Sequence, residues 1–330
     1  MRGGRRLLLG LLLTAGCASA PRAGPEAPAL FVVDPVDLLP DLGAVLCVNV
    51  PRLRQEGQLW GQLVERMART EEAEGDRAQI RLFAQHTETL LLGMAHPAGE
   101  DPDILMVLRT QGVKLVSPEG QVLGAETTLG QDGLRRGKLG EDDLVLVDEF
   151  TAVVFEPGLR GAMEAILSRQ PGLRFRERPA FRGLAREVGF GQAPVALLGA
   201  LPPGAVDKLL EKTPPGMRPL ARAMRGVEVY GGQLEVGPRY DLKVSLRGAS
   251  ANDMGVLAGV LLLLKGAGMD SQEDSDFAEL ARNLEVELKE EVLTLRYSMT
   301  REAVWRRLEA WLDDLGREEA PEEAPAAQEI

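Results

Sequence analysis

The chain has 330 residues, with 38 basic and 50 acidic side chains and a formal net charge of −12. An acidic surface repels nucleic acid and anionic lipid headgroups, and the basic residues form no stripe interleaved with aromatics, so no nucleic-acid partner is expected. Apolar residues make up 45% of the chain and aromatics only 4%. That composition supports a packed core of Leu, Val and Ala and disfavours an aromatic-lined platform for sugars or bases.

The chain opens with Arg2, Arg5 and Arg6, an apolar run from Leu7 to Leu13, and then Thr14-Ala15-Gly16-Cys17. A basic start, a short greasy segment and a small-residue exit make an export signal, too short to span a bilayer. Thr14-Ala15-Gly16-Cys17 resembles the lipobox of bacterial lipoproteins, although Thr14 stands where that family usually carries Leu. The resemblance implies acylation of Cys17, cleavage before it, and attachment to the lipid bilayer through that residue. Ala18, where an Asp would retain a lipoprotein at the inner membrane, implies outer-membrane sorting facing the periplasm. The same residues also allow an ordinary signal cut after Ala18-Ser19-Ala20, or an unprocessed cytoplasmic start.

Several consequences follow from a lipidated Cys17. Loss of Arg2, Arg5 and Arg6 leaves 35 basic against 50 acidic side chains, a mature charge of −15. Cys47 becomes the only thiol, with no disulfide and no thiolate metal cluster available. It sits in Ala44–Val50, an apolar run that reads as a buried strand, where a small thiol packs like a hydrophobe. The expected organisation is a signal over 1–16, a Pro/Ala/Gly tether over 17–29, a first α+β part over 30–200, a second over 201–316 that is either separate or continuous with it, and a disordered acidic tail over 317–330.

Within the first part, Pro51 can open a helix, because its missing N–H is not needed there. A helix over Gly57–Arg69 places Trp60, Leu63, Val64 and Met67 on one face, and a second over Arg77–Gln85 groups Ile80, Phe83 and Ala84. Thr89–Ala95 and Ile104–Arg109 read as strands, and Val113–Val116 as a continuation of the sheet. The glycine-rich stretch Ser117–Asp143 reads as loops and hairpins with one weak strand. Leu144–Val147 and Ala152–Phe155 form a pair, followed by a helix over Gly158–Ser168 that Pro171-Gly172 stops.

Beyond it, Phe181–Val188 reads as helix and Val195–Gly199 as strand. Short helices follow, carrying Val206, Leu209 and Leu210 and then Leu220–Met224. Val227–Val236 and Tyr240–Leu246 form a hairpin whose second strand alternates Tyr240, Leu242, Val244 and Leu246 with Asp241, Lys243 and Ser245. Ser250 and Asp253 make a capping box for a helix through Met254–Leu264, eleven residues with no charged or polar side chain, expected to be a buried central helix. Phe277–Asn283 reads as helix, Leu284–Leu288 and Val292–Met299 as a hairpin, and Thr300 as the cap of a last helix.

Leu220–Val229 echoes Leu280–Leu288, each leading from a helix into a hairpin and on through Ser or Thr to another helix. The expected fold is therefore α+β: an antiparallel sheet with helices on one face, built from repeated helix–hairpin–helix units.

Catalytic patterns are sparse. His86 and His96 belong to no His-Glu-x-x-His motif, and there is no Gly-x-Ser-x-Gly elbow and no Walker-type phosphate loop. No cofactor is implied. Acidic clusters stand at Asp34, Asp37 and Asp41, at Glu141-Asp142-Asp143 and at Asp148-Glu149. The set Asp270, Glu273, Asp274, Asp276 and Glu279 offers oxygen ligands to a hard cation, but without the glycine and ligand order of an EF-hand; a solvated loop explains it as well, with Asp276 capping a helix. The expected function is a membrane-anchored envelope lipoprotein with a non-enzymatic binding or structural role, engaging an envelope protein partner; the alternative is an acid–base hydrolase built on a carboxylate pair.

Overall fold

The computed structural model describes residues 34–306, apart from 57–58, 71–73, 96–101, 118, 170–173, 202–203, 214 and 271–275. The expected signal, tether and acidic tail lie outside the described residues.

One thirteen-stranded sheet organises the chain, in the order β12-β13-β11-β10-β9-β1-β2-β3-β8-β7-β6-β5-β4. At its middle is β1 (Ala44–Asn49), flanked by β2 (Thr87–Met94) and β9 (Val195–Ala200), both antiparallel to it. On the β2 side follow β3 (Ile104–Thr110), β8 (Thr151–Phe155), β7 (Asp142–Asp148), β6 (Arg135–Leu139), β5 (Ala125–Leu129) and β4 (Gln121–Val122). On the β9 side follow β10 (Val227–Val236), β11 (Arg239–Gly248), β13 (Val292–Thr300) and β12 (Leu284–Lys289). Strands from both sides of the expected boundary at residue 200 thus pair in one ladder, β9 with β10.

Helices connect neighbouring strands at two places. Between β1 and β2 run α1 (Val50–Glu56), α2 (Leu59–Thr70) and α3 (Glu74–His86), with Pro51 in the first turn of α1 as its chemistry requires. Between β9 and β10 run α6 (Ala205–Lys212) and α7 (Arg218–Ala223). The remaining helices are α4 (Arg160–Leu167), α5 (Pro179–Glu187), α8 (Ala251–Asp270) and α9 (Asp276–Asn283), and residues 301–306 are helical.

The antiparallel α+β expectation holds, but the helical cover is divided between both faces of the sheet. Alternation along β1 shows this: Val45 and Cys47 pack with Met163 and Ile166 of α4 and Phe181 and Leu184 of α5. Leu46 and Val48 point the other way and pack with Leu53 of α1, Trp60 and Leu63 of α2, and Val304 and Trp305. The physical reason is that β1, at the middle of the sheet, carries apolar side chains towards both faces, so neither can be left to water. Further out, β7 is buried at four consecutive positions and β8 at all five, so both of their faces must be covered as well. Where helices do not reach, the sheet covers itself: Val122, Leu123 and Leu139 from the β4–β6 end pack on Met106, Leu144, Leu146 and Val154.

Three local readings change. Val113–Val116 adds no strand; Val116 makes one isolated bridge to Val122. The stretch Ser117–Asp143 forms the expected hairpins, but with β4, β5, β6 and the start of β7 where one weak strand was expected. These strands carry little apolar alternation, and Gly137 marks their pairing: a Cβ there would lie 2.4 Å from the Glu126 carbonyl oxygen.

The third change concerns α8. Met254 and Leu257 are buried with Val227, Leu246 and Leu293 of the sheet, but Val256, Leu262 and Leu263 are 54%, 53% and 77% exposed. The helix covers the sheet and presents an apolar outer side. No described helix is long and apolar enough to cross a membrane.

The expected caps form. Ser250 Oγ accepts from the Asp253 N–H at 3.2 Å and donates to Asp253 Oδ2 at 2.7 Å. Thr300 Oγ1 accepts from the Ala303 N–H at 3.2 Å. Both stretches of the sequence echo run from helix into hairpin, α7 towards β10–β11 and α9 into β12–β13.

Candidate binding groove

The strongest concentration of chemistry among the described residues lies on the α1–α3 side of the sheet. A cleft of about 750 Å³ opens there, and its described lining includes Arg54, Arg66, Arg69, Arg81, Trp60, Trp305 and Glu65. Each lining residue is placed by a local rule. Trp60 and Val64 are one turn apart on the inner stripe of α2, whereas Arg66 and Arg69 stand on the helix surface away from that stripe. Trp60 joins two apolar clusters, one with Val64, Ala68, Ile80 and Ala84, the other with Leu63, Val304 and Trp305.

Hydrogen bonds then lock the walls. Trp60 Nε1 donates to the Ala84 carbonyl at 3.2 Å, fixing its indole plane against the end of α3. Arg54 donates to the same Ala84 carbonyl and to that of Thr87 at 3.0 Å. These acceptors are the C-terminal turn of α3 and the first residue of β2, where helical carbonyls lack intrahelical partners. Burial lowers the Arg54 pKa from its ordinary value. Arg81 meets Glu65 in a bidentate pair at 2.8 and 3.0 Å, joining α3 to α2. The hydrogen bond from Arg81 holds the Glu65 carboxyl below its usual range.

A second cleft, of about 680 Å³, opens at the β10–β11 hairpin and includes Gln233, Glu235 and Asp241. Glu235 and Asp241 are directly opposed across the two strands, which sets their Cβ atoms about 4.5–5.5 Å apart. Gln233 Nε2 donates to Glu235 Oε1 at 2.9 Å. On the same polar face, Glu187 at the end of α5 accepts from Ser245 Oγ at 2.8 Å, and its carbonyl accepts from Lys243 Nζ at 3.0 Å.

The other residues singled out in the sequence are not gathered into either cleft. Asp34 and Asp37 share Arg176 at 3.5 and 3.3 Å, and Asp41 pairs with Arg178. Asp143 is 2.8 Å from both Lys138 and Arg160; burial pushes its carboxyl up, but the two cations outweigh this and hold it low. Burial raises Asp142, with Glu141 and Asp143 adding to the shift. Asp148 accepts from the Phe150 N–H at 2.8 Å in the β7–β8 turn, and Glu149 pairs with Lys114 at 2.8 Å. His86 is the last residue of α3; His96 lies outside the described residues.

Of the candidate cation set, Glu273 and Asp274 lie outside the described residues, as do the side chains of Asp270 and Asp276; only Glu279 has a described side chain. Cys17 is likewise outside. Cys47 is buried, and desolvation pushes its thiol up to about 11.

No signal in the sequence announced the Arg/Trp groove. Arg66 and Arg69, neighbours on one surface of α2, were the available hint, but Trp305 comes from 236 residues beyond Arg69.

No protein-family model and no curated protein sequence matches this chain. Among solved structures, it is similar to crystal form IV of TP0453, with 11% identity, a TM-score of 0.48 and coverage of 84% of this chain and 96% of that one. Crystal form III of TP0453 aligns at 12% identity and a TM-score of 0.47, over 81% of this chain and 94% of that one.

Proposed function

We propose that this chain is a lipid-anchored binding protein of the bacterial cell envelope. Acylated Cys17 holds it at the outer membrane facing the periplasm, residues 17–29 act as the tether, and the body engages a partner or ligand. The leader Arg2–Cys17 supports the anchor: several acyl chains hold a protein firmly without a transmembrane helix. The observation that supports the binding role is the groove beside α2, where the Arg54 guanidinium and the Trp60 indole are held by main-chain hydrogen bonds at an open surface.

Affinity capture of the tagged chain from envelope membranes, beside a Cys17→Ser control, tests this reading. A specific partner that is lost with the anchor supports it. Intact mass showing an unmodified Cys17 in the mature chain overturns the anchor.

A second reading, hydrolysis by a carboxylate pair, draws support from Glu235 and Asp241 in the β10–β11 cleft. A pair of carboxylates is the residue set that acid–base glycoside hydrolysis requires. Activity on a panel of chromogenic glycosides that disappears in both Glu235→Gln and Asp241→Asn supports it; equal activity in those variants rules it out.

A further inference from the structure

We propose that the outer side of α8 is a self-association surface, on which a second copy of this chain lays its own α8 antiparallel across Gly259. This surface stands apart from the groove beside α2 and does not depend on the anchor. Of the eight large apolar side chains that are exposed among the described residues, three belong to this one helix: Val256, Leu262 and Leu263. No charged side chain occurs from Met254 to Leu264. Lys265, the next one, turns inward and donates from Nζ to the Leu284 carbonyl at 2.6 Å. Contiguous apolar surface of this kind marks an interaction site.

The shape of this side fits another helix. Gly255, Gly259, Leu262 and Gly266 follow at spacings of four, three and four, along one line of the helix. A Cβ added at any of these glycines would meet nothing within 4 Å, so packing among the described residues does not call for them, and glycine weakens a helix relative to alanine. They leave a shallow groove beside Val256 and Leu263 into which a helix backbone can settle closely. A bilayer gains nothing from such a groove, because glycine offers it no side chain to bury, and α8 has no aromatic residue to seat it at a lipid interface. The net charge of −12 adds repulsion from anionic headgroups.

The same surface is complementary to itself. A two-fold contact sets one patch against its own copy. With the axis at Gly259, residues three or four positions to either side share a layer: Leu263 of one copy with Gly255 of the other, and Leu262 with Val256. The most exposed leucine of each copy thus falls beside a glycine of the other, and the antiparallel helix dipoles attract. The acidic charge of both copies stays outside this uncharged contact. Area sets its strength. A helix of 20 residues is about 30 Å long and about 10 Å wide, so the pair covers roughly 300 Å² per copy, against about 800 Å² in a stable dimer. The association is therefore weak and concentration-dependent.

The test uses the full chain with Cys17→Ser, purified without detergent, in sedimentation velocity from low to several hundred micromolar protein. A reversible monomer–dimer equilibrium is expected. Gly259→Leu fills the groove where the single chain has open space, and should weaken dimerisation at least tenfold; Leu263→Gln should weaken it at least fivefold. Circular dichroism confirms that each variant is folded. Added cysteines test the pairing. The thiols of Gly259→Cys lie at the axis and should form an intermolecular disulfide on mild oxidation, whereas those of Ala267→Cys, exposed eight residues further along the helix, should not; Cys47 is buried and does not compete. A monomer at every concentration, or unchanged dimerisation in Gly259→Leu, overturns the proposal. Equal cross-linking at both positions, the mark of parallel helices, overturns it too. Flotation with phosphatidylcholine vesicles that increases in Gly259→Leu, while the chain stays monomeric, overturns it in favour of a lipid surface.

Discussion

Replacing Phe181 by alanine should unseat α5 from the sheet. The ring is 1% exposed, its centroid lies 4.7 Å from that of Phe175, and the Arg178 guanidinium sits 5.4 Å from its centre. Loss of a buried Phe costs about 3–5 kcal/mol in transfer and cavity terms, with the aromatic pair within that range. A loss of about 4 kcal/mol is therefore expected, a large fraction of the roughly 5–15 kcal/mol that keeps a domain folded. In a urea titration followed by circular dichroism, an m-value of about 3 kcal/mol per molar places the midpoint more than 1 M lower. Phe181→Leu, which keeps most of the volume, should lose roughly 1.5 kcal/mol or less. A loss below about 1 kcal/mol for Phe181→Ala would show that α5 does not bear on the core as described.

Four other substitutions test three particular features. Leu257→Ala should cost about 2–4 kcal/mol because Leu257 is 1% exposed against the sheet, whereas Leu263→Gln, at 77% exposed, should change stability by less than about 0.5 kcal/mol; equal effects would refute the orientation of α8. Thr151→Val should be neutral or stabilising by up to about 1 kcal/mol in thermal melts, since Thr151 Oγ1 is buried without a hydrogen-bond partner; a clear loss would reveal an acceptor or water at that site. Asp132→Asn tests the turn between β5 and β6. Arg136 holds the Asp132 carboxyl at about 2, below its ordinary value of 3.8, so its stabilisation is present above about pH 4 and is lost as pH falls through about 2. With the side chain 48% exposed, screening limits the difference between wild type and variant to about 1 kcal/mol at neutral pH. A difference that grows on acidification would contradict this sign.

Much of the architecture was legible along the chain. Period-two alternation in Tyr240–Leu246 and its partner Leu293–Met299 marked one apolar and one polar face, and the two strands pair in that register. Capping at Ser250 and Thr300 could be read because it depends on residues three apart. α8 was half legible: Met254–Leu264 is apolar all round, so its length was evident but not which side meets the sheet. Hairpins were expected in Ser117–Asp143, but the bounds of β5 and β6 were not legible because their pairing rests on turns and on the room left by Gly137, not on hydrophobic period. The groove needs α1, α2, α3 and a segment more than two hundred residues away, a juxtaposition that no local pattern encodes.

By itself, then, the sequence determined the local elements: strands from their alternation, helices from their caps and stripes, an acidic surface from composition, and an expected anchor from Arg2 to Cys17. Tertiary structure alone decided which elements share a face. It divided the helices between both sides of one sheet, because the central strands are apolar on both sides and neither side can be left to water. It also brought Arg54, Arg66, Arg69 and Arg81 together around Trp60 and Trp305, because the packing of distant helices, and not their spacing in sequence, sets the electrostatics of a cleft.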